Sequence, residues 1–147
     1  MGYGVPAAVM ASIVSPERCV INMAGDGDFM MTSQELATAI QYGAAPIFIV
    51  FNNGMYGTIR MHQEKHFPGR VYGTELRNPN FAQYAEAFGA RGVRVTTNAE
   101  FEEAFSEALH HTRTTNTPAL IELKVDPQDL TPGASLDAIR AAAARSA

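Results

Sequence analysis

Apolar residues along this chain fall into two kinds of block. Residues 47–51 (Ile-Phe-Ile-Val-Phe) form an unbroken apolar run, the pattern of a strand covered on both faces. Residues 19–24 (Cys-Val-Ile-Asn-Met-Ala) read the same way and stop at Gly25-Asp26-Gly27-Asp28, which predicts a buried strand followed by a loop over 25–31. Residues 92–95 and 119–125 supply two further strands. The segments between them carry helix punctuation. Residues 5–14 are small and apolar, with Pro6 in a first turn where its missing N–H costs nothing. Thr32 and Glu35 have capping-box spacing, in which hydroxyl and carboxylate satisfy each other's terminal amides, and Gly43 is a stop signal after Tyr42. Thr97 and Glu100 repeat that spacing and open a helix to about Thr112. Residues 58–66 predict a short helix, Asn78-Pro79 the cap of a helix to Phe88, and residues 136–145 a last helix. Pro68, Gly69, Gly73 and Pro79 make 66–80 mostly loop, and Asp126-Pro127 with Thr131-Pro132-Gly133 mark another.

Strands separated by helices must pair in parallel, because parallel neighbours need crossover connections. The expected fold class is therefore α/β, a three-layer sandwich with a mostly parallel sheet. A single domain over residues 1–147 is expected, with 126–147 as its C-terminal loop and helix. Ligands of such sheets sit beyond the carboxyl ends of the strands. Two loops leave strands there, 25–31 and 52–57, and they hold the most unusual polar residues of the chain.

Composition narrows the classes. A net charge of −4 argues against a nucleic-acid groove or a polybasic membrane patch. No apolar stretch is long enough to span a membrane, and the basic start of a secretory signal is missing. Cys19 is the one cysteine, so no internal disulfide forms, which suits a reducing cytoplasm. Its apolar neighbours predict a packing role for it. His110 and His111 are expected at a helix end, where a cation suits the dipole. Met1 opens directly into Gly-Tyr-Gly-Val-Pro with no preceding element, which predicts a fragment.

The two loops make chemical sense together. Mg²⁺ takes six close oxygen ligands and is normally held by one or two protein groups plus phosphates. Asp26 offers a carboxylate at the end of one strand and Asn53 an amide oxygen at the end of the next; loop carbonyls after Asn53 offer more. Gly25 and Gly27 let backbone approach an anion closely, and the amides beyond Gly27 can point at a phosphate. Gly-Asp-Gly alone is an ordinary turn, and so is Asn-Asn-Gly. Here both follow apolar strands, and the 24 residues between Gly27 and Asn52 hold one helix and one strand. A metal-bridged diphosphate is the predicted ligand.

Gly-Asp-Gly, some two dozen residues, then Asn-Asn resembles the signature of thiamine-diphosphate-dependent enzymes. Met1-Gly-Tyr-Gly-Val-Pro-Ala-Ala, Gln34-Glu35-Leu36-Ala37-Thr38 and Asn78-Pro79-Asn80-Phe81 are similar to segments of acetolactate synthases and related 2-oxo-acid decarboxylases. The resemblance implies that Asp26 and Asn53 ligate Mg²⁺ by side chains and Met55 by its backbone carbonyl. It implies that Gly25, Gly27, Asp28 and Phe29 meet the diphosphate of thiamine diphosphate, largely through backbone. Met1 falls where the family places a bulky apolar residue under the bent cofactor, and Tyr56, Gly57 and Thr58 line the cofactor and substrate side.

The resemblance also implies what is missing. The family's catalytic glutamate lies on a pyrimidine-binding domain, usually of a neighbouring subunit, and no segment here resembles it. This chain should then be inactive alone, act on a small 2-oxo acid only with that partner domain, and belong to a homo-oligomer. Acetolactate synthases carry a tryptophan at the position of His62, and pyruvate decarboxylases a glutamate at that of Ile59. The substrate therefore stays open: a benzoylformate-type decarboxylase, a pyruvate-oxidase-like enzyme and a non-catalytic regulatory module of the same fold are alternatives. The run from Arg60 to His66, with Arg70, reads either as a site for a substrate carboxylate or as a solvated helix.

Overall fold

Four apolar segments form strands at Ile21–Gly25 (β1), Ile47–Asn52 (β2), Arg91–Val95 (β3) and Ala119–Lys124 (β4) in the computed structural model, which describes residues 1–146. They pair in parallel in the order β1-β2-β4-β3. Helices alternate with them: α1 (Gly4–Val14), α2 (Asp26–Phe29), α3 (Leu36–Tyr42), α4 (Gly57–His66), α5 (Phe81–Ala87), α6 (Asn98–Thr115) and α7 (Leu136–Ser146). The α/β class with a parallel sheet is as expected. The chain divides into two compact units, Met1–Asn52 with Asn78–Lys124, and Asn53–Arg77 with the chain from Val125 onward.

The first unit contains the sheet and is layered. On one face, Val5, Ala8 and Val9 of α1, Leu36 and Ala39 of α3, and Phe81 and Ala85 of α5 pack on Ala24, Phe48, Val50 and Leu120. On the other, Ala104 and Ala108 of α6, with Phe101 and Phe105, pack on Ile47, Ile49, Val95, Ala119 and Ile121. Residues of β2 and β4 point to both cores in turn, which is why their apolar runs are continuous. Gly92 lets α5 sit directly on β3: a Cβ there would lie 2.0 Å from the carbonyl oxygen of Ala82.

Several local expectations need correction. The first strand begins at Ile21, not residue 19, and is only half covered: Ile21 is 45% and Met23 66% exposed. Helix α6 lies mainly across β3 and β4 with its edge on β2, so the matching face of β1 is bare. Cys19 precedes the strand and is exposed, so it has no packing role. The segment after Gly25 is one helical turn rather than loop. The Thr32 capping box does not form; its hydroxyl donates to the Gly2 carbonyl (2.9 Å), and the chain enters α3 through a 3₁₀ turn at Ser33–Glu35. Gly43 does end α3, in the left-handed region at φ 64°. Asn80, not Asn78, caps α5, accepting from the Gln83 amide. His110 and His111 lie inside α6, which runs on to Thr115. The His111 ring bonds the Thr117 hydroxyl (2.8 Å), and burial lowers its pKa. The capping box of Thr97 and Glu100 forms as expected.

In the second unit α4 packs on α7. Their contact encloses Glu64, 1% exposed, whose carboxylate accepts from Arg60 (3.0 Å), from the Gly69 amide (2.8 Å) and from two nitrogens of Arg140 (both 2.8 Å). No helix among the described residues is long and apolar enough to cross a membrane.

Candidate functional site

In the first unit, register brings two strand ends to one edge. Gly25 of β1 pairs with Phe51 of β2, so the next residue of each chain, Asp26 and Asn52, leaves at the carboxyl end of the sheet. Asp26 starts α2 and is 2% exposed. Its Oδ1 accepts from the Gly27 amide (2.9 Å) and its Oδ2 from the side-chain amide of Asn78 (2.7 Å). The same Asn78 nitrogen donates to Oδ1 of Asn52 (3.0 Å). Asn78 is thus a site residue that the sequence pattern presented only as a cap.

The rest of the Gly-Asp-Gly segment divides its work between surface and core. A Cβ on Gly25 would meet nothing within 4 Å, so there is open space against this backbone. Gly27 is buried. Asp28 is half-buried and its carboxylate accepts from the Gly2 amide, while Thr32 donates to the Gly2 carbonyl. Together they tie the N-terminal segment to the segment after β1. Gly2 takes the left-handed conformation this needs, at φ 76°, and Met1 beside it is 72% exposed. The Phe29 side chain is fully buried among Phe48, Phe81 and Tyr84, with ring centroids 5.6–6.5 Å away, so only its backbone is available to a ligand.

In the second unit the predicted residues Asn53 to Thr58 form a turn leading into α4. Asn53 Oδ1 accepts from the Met55 amide (3.1 Å), which uses one of its two lone pairs. Gly54, at φ 74°, turns the chain so that its carbonyl accepts from Leu76, and Tyr56 donates to the Thr74 carbonyl. Met55 pairs with Glu75 in an antiparallel bridge and is buried. Gly57 is the first residue of α4; a Cβ there would come within 3.0 Å of both the Asn53 side-chain nitrogen and Leu130. Tyr56 is half-buried and Thr58 exposed. Beside this turn the Thr74 hydroxyl is buried with no hydrogen-bond partner among the described residues. Arg60 is committed to Glu64, and Arg70 lies over the Phe67 ring, 5.5 Å from its centroid.

No three His, Cys, Asp or Glu side chains gather into a metal cluster among the described residues. The Asp26 carboxylate of the first unit is a hard oxygen donor, of the kind Mg²⁺ takes in preference to zinc.

Residues 1–123 match the family described as thiamine pyrophosphate enzyme, C-terminal TPP binding domain. The chain belongs to this family. Among thiamine pyrophosphate enzymes it is 36% identical over 126 residues to the mitochondrial acetolactate synthase catalytic subunit of Saccharomyces cerevisiae, covering 86% of this chain and 18% of that one. It is 34% identical over 127 residues to the acetolactate synthase isozyme 3 large subunit of Escherichia coli, covering 86% of this chain and 22% of that one. The solved thiamine diphosphate-dependent 4-hydroxybenzoylformate decarboxylase of Rhodococcus jostii superposes with a TM-score of 0.78 at 36% identity, over 86% of this chain and 23% of that one. The chain thus spans about a fifth of the length of these thiamine pyrophosphate enzymes.

Proposed function

We propose that this chain is the diphosphate- and Mg²⁺-binding domain of a thiamine-diphosphate-dependent 2-oxo-acid decarboxylase or carboligase of the acetolactate synthase type. The observation that carries the reading is Asp26: a carboxylate 2% exposed, at the carboxyl end of a parallel strand, inside the matched family segment. A carboxylate at a strand end is a hard oxygen donor, which is what a divalent cation such as Mg²⁺ takes from a protein alongside phosphate oxygens.

In this reading Asp26 and Asn53 hold Mg²⁺ by their side-chain oxygens and Met55 by its carbonyl. The backbone of Gly25, Gly27, Asp28 and Phe29 receives the diphosphate. Met1 would support the cofactor rings, and Tyr56, Gly57 and Thr58 would line the reacting side. When bound, thiamine diphosphate would supply the electron sink that decarboxylation of a 2-oxo acid needs. The residues of this chain would orient that group and hold the cation that neutralises its phosphates. The acid–base glutamate belongs to a pyrimidine-binding domain, of the same enzyme or a neighbouring subunit in a homo-oligomer, and without it the chain is inactive. The free Cys19 thiol suits a reducing, cytoplasmic setting.

A benzoylformate-type activity is the second reading. The similarity to the Rhodococcus decarboxylase favours it, as does His62, where acetolactate synthases carry a tryptophan.

Calorimetric titration with thiamine diphosphate tests the first reading. Binding should appear with Mg²⁺, vanish with EDTA, and be lost in Asp26→Ala and in Asn53→Ala. Equal binding with and without the metal would refute it. Turnover of pyruvate or benzoylformate should be absent from the chain alone and appear when a pyrimidine-binding domain is supplied; turnover by the chain alone would contradict the division of labour.

A further inference from the structure

Asp26 is one end of a buried polar chain that crosses the carboxyl edge of the sheet, all of it within the first unit. Asn78 donates to Asp26 and to Asn52. Asn52, 3% exposed, donates from its Nδ2 to Oε1 of Glu122 (2.7 Å). Glu122 is fully buried in β4 and accepts four contacts: Asn52, the Phe81 amide (3.1 Å), and Nε and Nη2 of Arg94 (3.0 and 3.1 Å). Arg94, on β3, is 41% exposed and ends the chain at the surface.

Each link permits one orientation. An amide nitrogen has two hydrogens, and Asn78 uses both on oxygen acceptors; turning its amide over would set oxygen against oxygen twice. Asn52 is fixed in the same way, by an acceptor role toward Asn78 and a donor role toward Glu122. Glu122 is a buried charge kept in place by a two-pronged guanidinium. Because the Phe81 amide also binds Glu122 and Asn80 caps α5, the backbone that carries Asn78 is held just beyond it.

We infer that Asn78 is a positioning residue. It fixes the plane of the Asp26 carboxylate so that the cation meets a preset ligand, and Asn52, Glu122 and Arg94 hold Asn78 in the one rotamer that does so. This rests on the metal-binding reading above. Groups that orient a metal ligand in this way typically change metal affinity about 10–100-fold when removed.

The test uses Mn²⁺ as the probe, with inorganic diphosphate present, followed on the 147-residue chain by water-proton relaxation; thermal midpoints are recorded in parallel. Asn78→Ala should weaken Mn²⁺ binding about 10–100-fold. Arg94→Met, which takes the guanidinium from the buried Glu122 carboxylate at the far end of the chain from Asp26, should lower the thermal midpoint and weaken Mn²⁺ binding by a smaller factor, a few-fold. A purely structural role would lower the thermal midpoint and leave Mn²⁺ affinity alone, and that result overturns the inference. If Asn78→Ala fails to fold, Asn78→Ser and Arg94→Met decide: wild-type Mn²⁺ affinity in both overturns it. Asp26→Ala is the control that separates the two claims. If it abolishes binding while Asn78 variants do not, the metal reading stands and the positioning role falls. If the wild-type chain binds no Mn²⁺, both fall.

Discussion

At the scale of single residues, buried carboxylates decide much of this molecule. Asp26 was legible because its two glycines and the preceding apolar run are local signals. Asn78 was not, because its partners lie 26 and 52 positions away and no pattern in the sequence around it encodes them. Its neighbour Pro79 instead suggested a cap, and the true cap is two residues on. Glu64 was hidden for the same reason: its Arg140 partner is 76 positions distant. Hydrogen bonds from Arg140 come first among the causes that hold the Glu64 carboxyl below its ordinary 4.5, at about 2, against the opposing effect of burial. A group whose pKa falls on folding stabilises the fold above its unfolded pKa and loses that contribution as pH drops through the folded value. Between 4.5 and about 2 the docking of α7 on α4 should therefore weaken. At ~1.4 kcal/mol per pKa unit the full contribution at neutral pH is ~3 kcal/mol. Amide exchange in α7 should accelerate across that acid range in the wild type. Glu64→Gln should show faster exchange already at neutral pH and little further change on acidification. An unchanged acid profile in the variant would assign the pH sensitivity elsewhere.

At the scale of elements, identical spacing gave opposite outcomes at two helix starts. Thr97 and Glu100 close a reciprocal cap, and the further bonds Glu100 makes go to the amide and hydroxyl of adjacent Thr96, which reinforce it. Thr32 and Glu35 have the same spacing, but Gly2 takes the Thr32 hydroxyl and Thr38 donates to Glu35. Local sequence specifies the option, and tertiary partners decide whether it is used. Two substitutions measure what such features contribute. Thr97→Ala removes one cap at an exposed helix start and should cost ~1 kcal/mol in urea unfolding, with the fold intact. Gly92→Ala sets a methyl group 2.0 Å from the Ala82 carbonyl, backbone against backbone, where no side-chain rotation relieves it. It should destabilise the first unit by ~3 kcal/mol, the upper end of what overpacking typically costs, or prevent folding. A Gly92→Ala protein as stable as Thr97→Ala would mean that α5 is free to move off the sheet.

At the scale of the whole molecule, the order of elements was readable because parallel pairing leaves few topologies for alternating strands and helices. The cover of the sheet was not readable. An apolar run says that a strand is built to be buried on both faces, but not by what. For β2 and β4 both covers are present within the first unit. For β1 one is missing: Ile21 and Met23 share a face with Ile47 and Ile49, yet α6 reaches only the latter two. β1 is also an edge strand, so its outer backbone has no neighbour in the four-stranded sheet. An exposed apolar face on an unprotected edge favours association. The chain, spanning about a fifth of its relatives' length, should therefore sediment faster as its concentration rises and bind a hydrophobic dye while folded. Met23→Lys places a charge in the middle of that face without disturbing the core, because Met23 is 66% exposed. It should shift sedimentation toward monomer and reduce dye binding, with the thermal midpoint unchanged. If sedimentation is independent of concentration and identical in the two proteins, the bare face of β1 is not an association surface.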